Sequence, residues 1–241
     1  METDTNIREA VRDTYARVSS RIASDCVGSC CSTTGSEASN EAESLRAGCG
    51  HPVTNARIEV GEVVLDLGSG AGADAFQASK LVGPSGRVVG VDSTPEMVWK
   101  ARDLAAKDGV ENVEFRLGEI EHLPLEAGSI DMAVSNCVLN LLPDKLVGFR
   151  EIFRVLKPGG RIRISDLVTS NPVPRNQVKA KDWATCVEGA IMEVEYLQLL
   201  RQAGFEKVQA LDEAACSDDC CNGPSSELRS VAITGIKPIS A

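Results

Sequence analysis

Residues 63–72, Val63-Val64-Leu65-Asp66-Leu67-Gly68-Ser69-Gly70-Ala71-Gly72, run a short apolar segment into a glycine-rich turn, and a helical pattern from Ala73 to Leu81 follows. An apolar run of this length between turn signals reads as a buried strand, and the glycines after it let the backbone approach a ligand closely. Strand, glycine turn and helix in this order mark the place where doubly wound sheets bind nucleotides. A G-x-G-x-G string also ends ordinary strands. What gives it weight is Asp92, which closes the next apolar run from Arg87, where a carboxylate can accept both hydroxyls of a ribose. Position 73 is Ala, which the G-x-G-x-x-A variant of the dinucleotide fingerprint tolerates, so spacing alone leaves the nucleotide open.

The pattern continues outward. Apolar runs VEFRLG from Val113, IDMAVSN from Ile130 and GRIRISDLV from Gly160 alternate with helical segments over Pro95 to Lys107 and Leu146 to Leu156. Strands alternating with helices imply a parallel α/β sheet covered on both faces. Thr94 is placed as an N-cap with Pro95 at the first helical position, and Pro158-Gly159-Gly160 stops the third helix before the fifth strand. A helix from Glu193 to Ala203 ends at Gly204, and Lys207 to Leu211 and Leu228 to Gly235 are late strands. Upstream, Ile7, Ala10, Val11, Tyr15 and Val18 lie at helical spacing between Thr3 and Ile22. The stretch Ala23 to Glu43 is rich in Ser, Thr, Gly and Cys with little to bury, so a bound ligand is a candidate organiser.

Of the 241 residues, 43% are hydrophobic and 25% charged, a balance that excludes whole-chain disorder. The net charge of −10 disfavours a sequence-independent grip on nucleic acid. No apolar stretch approaches the roughly 20 residues that span a bilayer, and the first residues carry no secretory h-region, so a cytoplasmic protein without membrane contact is expected.

Nine cysteines cannot all pair within one molecule. In a reducing compartment such thiols serve metal binding or catalysis more often than stapling. Cys26, Cys30, Cys31 and Cys49 precede the sheet pattern, Cys137 and Cys186 lie within it, and Cys216, Cys220 and Cys221 lie near its end. No C-x2-C pair recurs at finger spacing, so no structural zinc is expected. Cys30-Cys31 and Cys220-Cys221 are vicinal pairs, which close a disulfide poorly and can chelate a large soft atom.

The strings D-L-G-S-G-A-G, V-D-S-T-P-E-M, L-G-E-I-E-H-L-P and L-K-P-G-G together resemble the class I S-adenosylmethionine-dependent methyltransferases, a doubly wound Rossmann-like seven-stranded sheet. Within that group A-G-C-G-H-P-V from Ala47, S-N-C-V-L-N-L-L from Ser135 and D-W-A-T-C-V-E-G-A from Asp182 are similar to the arsenite methyltransferases. The resemblance divides the chain into a helical, cysteine-bearing cap over 1–60, a cofactor-binding domain with an arsenic-binding loop over 61–210, and a cysteine-bearing extension with the final strand over 211–241. It implies that Asp66, Gly68, Gly70, Asp92, Ser93 and Met97 hold S-adenosylmethionine. Glu119, Ile120 and Glu121 would surround its adenine, Asn136 would face the transferable methyl, and Tyr15 would touch the methionine carboxylate. Cys49, Cys137 and Cys186 are the catalytic, arsenic-binding thiols it implies. The resemblance fixes neither Cys30 nor Cys31, and their vicinal chemistry makes them candidates for arsenic capture or a reductive relay.

The chemistry is coherent on its own terms. Trivalent arsenic prefers thiolates, and three sulfurs leave its lone pair as the nucleophile, so no general base is needed in a chain with only His51 and His122. Methyl transfer raises arsenic formally to the pentavalent state, and a thiol pair closing to a disulfide can return it, with thioredoxin or glutathione restoring the thiols. The expected protein is a monomer that methylates arsenite. The alternatives left open are a small organic acceptor, such as a quinone precursor or a sterol, and a non-catalytic metalloid store. Trp99 and Trp183 are expected to pack, and His122 to lie on the surface.

Overall fold

The computed structural model describes residues 4–19, 41–42, 45, 48, 50–171, 183, 186–212 and 228–239. Helix α1 is Asp4–Ser19. The sheet pattern then runs β1 Val63–Leu67, α2 Ala73–Val82, β2 Arg87–Asp92, α3 Pro95–Asp108, β3 Val113–Leu117 and β4 Ile130–Asn136. A 3-10 turn at Leu139–Leu141 leads to α4 Lys145–Val155 and β5 Leu156–Thr169. After these come β6 Ile191–Met192, α5 Glu193–Gln202, β7 Glu206–Asp212 and β8 Leu228–Ile236.

The strands form one sheet in the order β3-β2-β1-β4-β5-β8-β7, with the two-residue β6 paired to β5 as an eighth member. Strands β1 to β5 are parallel to one another, and β8 is antiparallel to both β5 and β7. The last strand is therefore inside the sheet rather than appended to it, and β7 itself crosses position 210. Parallel strands buried on both faces need apolar residues facing both ways, which is why β1 reads VVLDL without alternation. One face packs on α4 and α5 through Phe149, Ile152, Tyr196 and Leu200, the other on α2 and α3 through Phe76, Met97 and Ala101. No described helix is long and apolar enough to cross a membrane.

Several local expectations change. Pro158-Gly159-Gly160 does not precede the fifth strand but lies within it: pairing jumps from Ile130↔Leu156 to Met132↔Arg161, so the extra residues bulge out, with Gly159 at φ 81°. Thr94 starts α3 without a side-chain cap bond, whereas Asp144 caps α4 by accepting from Leu146 N and Val147 N. Trp99 does not pack: it is 58% exposed on the outer face of α3. His122 is exposed, and Trp183 is buried.

Under the carboxyl end of the sheet lies a buried polar cluster that sequence alone does not reveal. Asp166 of β5 is fully buried, and the Tyr196 hydroxyl of α5 donates to its Oδ2 at 3.1 Å. Lys145, 4% exposed, donates to the Asn140 carbonyl at 3.3 Å, and the Asn140 amide donates to Leu167 O at 2.8 Å. These bonds fix the 3-10 turn on β5. Burial pushes the Asp166 carboxyl up to about 7, against the opposing pull of Lys145 and of the Tyr196 hydrogen bond. A folded value above the ordinary 3.8 means the native chain holds this proton more tightly than the unfolded one. The contribution is therefore complete below about pH 4 and is lost as pH rises through about 7. Wild type should lose stability relative to Asp166→Asn between these limits in denaturant titrations, and a difference that does not change with pH contradicts this role.

Candidate active site

Strands β1, β2, β3, β4 and β5 end at one edge, and the pairing of Leu67 with Ser135 brings the loops after β1 and β4 out side by side. The first of these is the glycine loop. Gly68 N and Ser69 N both donate to Val91 O, at 2.8 and 3.1 Å, which ties the loop to β2. Gly68 has φ 64°, and an ideal Cβ there would lie 2.3 Å from a Val138 methyl. Glycine is required twice over, by the left-handed backbone and by the neighbouring loop. Gly70 N donates to Asp92 Oδ2 at 2.9 Å and Thr94 N to Oδ1 at 2.8 Å, orienting the carboxylate at the tip of β2. Burial raises the pKa of Asp92 while these amides pull it down.

A cavity opens over this edge. Asp66, Gly68, Gly70 and Asp92 border it at its base, and Ser93 and Met97 border it at the start of α3. Glu119, Ile120 and Glu121, which follow β3, form another wall, and Asn136 and Cys137 lie at the end of β4. Helix α1 roofs it with Arg8, Val11, Arg12 and Tyr15. Two ion pairs hold the roof: Arg8 bonds to Glu121 at 3.0 Å and Arg12 lies 3.6 Å from Glu119. The acids expected around an adenine thus also anchor the helix. Those arginines carry no motif, and only the helical spacing of α1 hints at them.

Cys137 and Cys186 come together although 49 residues separate them: the Cys186 thiol donates to the Cys137 carbonyl at 2.7 Å. Both are buried and both have left-handed backbones, at φ 57° and 65°. Such conformations cost a non-glycine residue on the order of 1–3 kcal/mol and persist only where the surroundings impose them. The surroundings are identifiable. Cys137 N donates to Ser165 O at 2.8 Å, and Trp183 Nε1 donates to Leu141 O at 3.1 Å. Gly189 lies so close to the 3-10 turn that a Cβ would come within 1.8 Å of the Asn140 carbonyl oxygen. The glycine of the E-G-A string is the one sequence signal for this contact. Tyr15 and Val11 pack on the two cysteines and Leu141. The Tyr15 phenol is raised well above its usual pKa, first by burial and then by the neighbouring Cys186 and Cys137.

The Asn136 amide has a task that the sequence did not suggest. Its Oδ1 accepts from Gly50 N at 3.0 Å, and its Nδ2 donates to Gly50 O at 2.8 Å and to Asp74 Oδ2 at 3.1 Å. Cys49, Cys30 and Cys31, named above as arsenic ligands, lie outside the described residues, as do Cys26, Cys216, Cys220 and Cys221.

Residues 58–204 match the family described as a methyltransferase domain. The chain is 44% identical over 227 residues to an arsenite methyltransferase of Halobacterium salinarum, covering 84% of this chain and 58% of that protein. An arsenite methyltransferase of Aquipseudomonas alcaligenes is 34% identical over 229 residues, covering 88% and 65%. The chain thus spans less than two thirds of the length of these relatives. Among solved structures, an arsenic(III) S-adenosylmethionine methyltransferase from Chlamydomonas reinhardtii superimposes with a TM-score of 0.64 at 27% identity, covering 98% of this chain and 74% of that one.

The left-handed backbone at Cys137 inverts the usual ranking of small residues. Cys137→Gly should be more stable than Cys137→Ala by roughly 1 kcal/mol, since only glycine escapes the Cβ penalty at this φ. Chemical denaturation of the two variants checks this, and an alanine variant as stable as the glycine one means that no strain is held there.

Proposed function

The chain belongs to the methyltransferase-domain family, and we propose that it transfers methyl groups from S-adenosylmethionine to trivalent arsenic held by cysteine thiolates, giving methylated arsenicals. The observation that carries this reading is the meeting of two buried cysteines with left-handed backbones beside the glycine loop, at the carboxyl edge of a doubly wound sheet. The similarity to arsenite methyltransferases over 84% and 88% of the chain supports the same acceptor.

The cavity suits the methyl donor. Asp92 is held with a carboxylate ready for ribose hydroxyls. An ideal Cβ at Gly70 meets no atom within 4 Å, so the backbone there borders open space rather than protein. Ser69 Oγ is buried without a hydrogen-bond partner among the described residues, as a polar group awaiting a ligand would be. Asp66, Ser93 and Met97 would complete its bed, Glu119, Ile120 and Glu121 would border its adenine, and Tyr15 would cover its methionine end. When bound, S-adenosylmethionine supplies an electrophilic sulfonium methyl.

The protein's contribution is then positional. Cys137, Cys186 and Cys49 would hold arsenic as thiolates, with Cys30 and Cys31 as capture ligands on the way in. Three sulfur bonds leave the arsenic lone pair directed away from them. No base is needed, because no proton leaves arsenic. Holding both reactants at near-attack distance is worth roughly 7–11 kcal/mol of the barrier. Methylation raises arsenic by two oxidation units formally. Two thiolates closing to a disulfide supply the two electrons that return it, and an external dithiol such as thioredoxin, or glutathione, reduces the disulfide. A reducing cytoplasm suits this cycle.

Incubation with S-adenosylmethionine, arsenite and a thiol reductant should yield methylated arsenic in step with S-adenosylhomocysteine, read by chromatography with mass detection. Cys137→Ser and Cys186→Ser should lose this turnover while keeping cofactor binding by calorimetry; unchanged turnover in both would remove these thiols from the reaction, whereas cofactor binding with no methylated arsenic from wild type would favour a small organic acceptor. In a single turnover without reductant, mass spectrometry should find one new disulfide per methyl transferred. Finding every thiol still reduced would remove the disulfide step.

A further inference from the structure

The most economical polar contact at the edge of the site is made by Asn136. Its side chain grips both backbone polar groups of Gly50, accepting from the N–H at 3.0 Å and donating to the carbonyl at 2.8 Å. The second amide hydrogen goes to Asp74 Oδ2 at 3.1 Å, from the first turn of α2. The orientation of the amide follows from its neighbours, because an N–H faces one end and two oxygen acceptors face the other. Gly48 leans on the same group: a Cβ there would fall 2.3 Å from Asn136 Cγ and Oδ1. The two residues that flank Cys49 in the sequence therefore both rest on one side chain. Asn136 is itself the residue before Cys137, and the Cys137 carbonyl receives the Cys186 thiol.

We propose that Asn136 is a positioning residue: it holds Gly48 and Gly50 at the mouth of the crevice, and through them supports the arsenic-binding role proposed for the cysteine between them. The inference rests on the three-thiol reading of the site. It assigns to Asn136 a role other than facing the transferable methyl. Both amide hydrogens are committed to the protein, leaving neither to bind an acceptor's oxygen. Recognition of the acceptor then falls to sulfur. A hydrogen-bonding partner of this kind acts as outer-shell residues do around metal ligands, where removal typically weakens binding roughly 10- to 100-fold.

The test uses the full chain and arsenite. Hydrogen exchange over a peptide containing Gly50 should accelerate in Asn136→Ala, a readout that needs no arsenic. Arsenite affinity, followed by the emission of Trp183 beside the Cys186 loop, should weaken roughly 10- to 100-fold in Asn136→Ala. The decisive comparison is the same substitution in a Cys49→Ser background, where it should cost nothing further. An equal loss in both backgrounds, or exchange at Gly50 that does not change, overturns the positioning role. Gly48→Ala gives a second route: it should weaken arsenite binding in wild type and add little in Asn136→Ala, where the obstructing amide is gone. Additive losses from these two changes would also overturn it. If wild type itself binds no arsenite while exchange at Gly50 still accelerates in Asn136→Ala, the thiol reading of the site fails and the grip on Gly50 stands.

Discussion

The pairing of β1 with β4 is the constraint on which the site depends. Val64 to Leu67 run in register with Met132 to Ser135, so the glycine loop and the Asn136-Cys137 loop leave the sheet as neighbours. Gly68 and Val138 then meet so closely that no side chain fits between them. A change in that register by one residue would turn every side chain of the strand to the other face and part the two loops. The loop after β4 is in turn held from below. Asp166, Tyr196, Lys145 and Asn140 tie the 3-10 turn after Cys137 to β5 and α5. A buried network of this kind is costly to break, because each partner would be left desolvated and unsatisfied.

The amino-terminal helix links the two halves of the cavity. Arg8 and Arg12 reach the acids that follow β3, while Val11 and Tyr15 on the same helix pack against the cysteines. Both sides of the cavity therefore share one roof. Surface ion pairs are individually weak, at about 0–1 kcal/mol. The Arg8 to Glu121 bond is better placed, since the Glu121 side chain is only 5% exposed and accepts from both Nε and Nη2.

Much of the fold was legible in the sequence because parallel strands buried on both faces leave continuous apolar runs, and helices between them leave a different period. Glycine and proline punctuation at Gly68 to Gly72 and at Pro95 marked the turns correctly. Pro158-Gly159-Gly160 misled, because a bulge inside a long strand uses the same residues as a loop before one. Helical spacing says nothing about which residue of α3 meets solvent, and Trp99 does. At the site, Asp66, Gly68, Asp92 and Cys137 were readable from local strings. The bonds from Asn136 to Gly50 and from Trp183 to Leu141 were not, since they join segments far apart in the chain and leave no periodic trace. The buried network around Asp166 was not read from the sequence, because its partners Lys145 and Tyr196 lie in other segments of the chain.

The central claim is that thiols of this chain, Cys137 among them, hold trivalent arsenic beside the cofactor cavity. X-ray absorption at the arsenic edge, on protein loaded with arsenite, reads the ligand atoms directly. Three sulfur neighbours and no oxygen are predicted for wild type, with one sulfur lost in Cys137→Ser. Oxygen neighbours in wild type, or a sulfur count that survives the loss of Cys137, would contradict the proposed site.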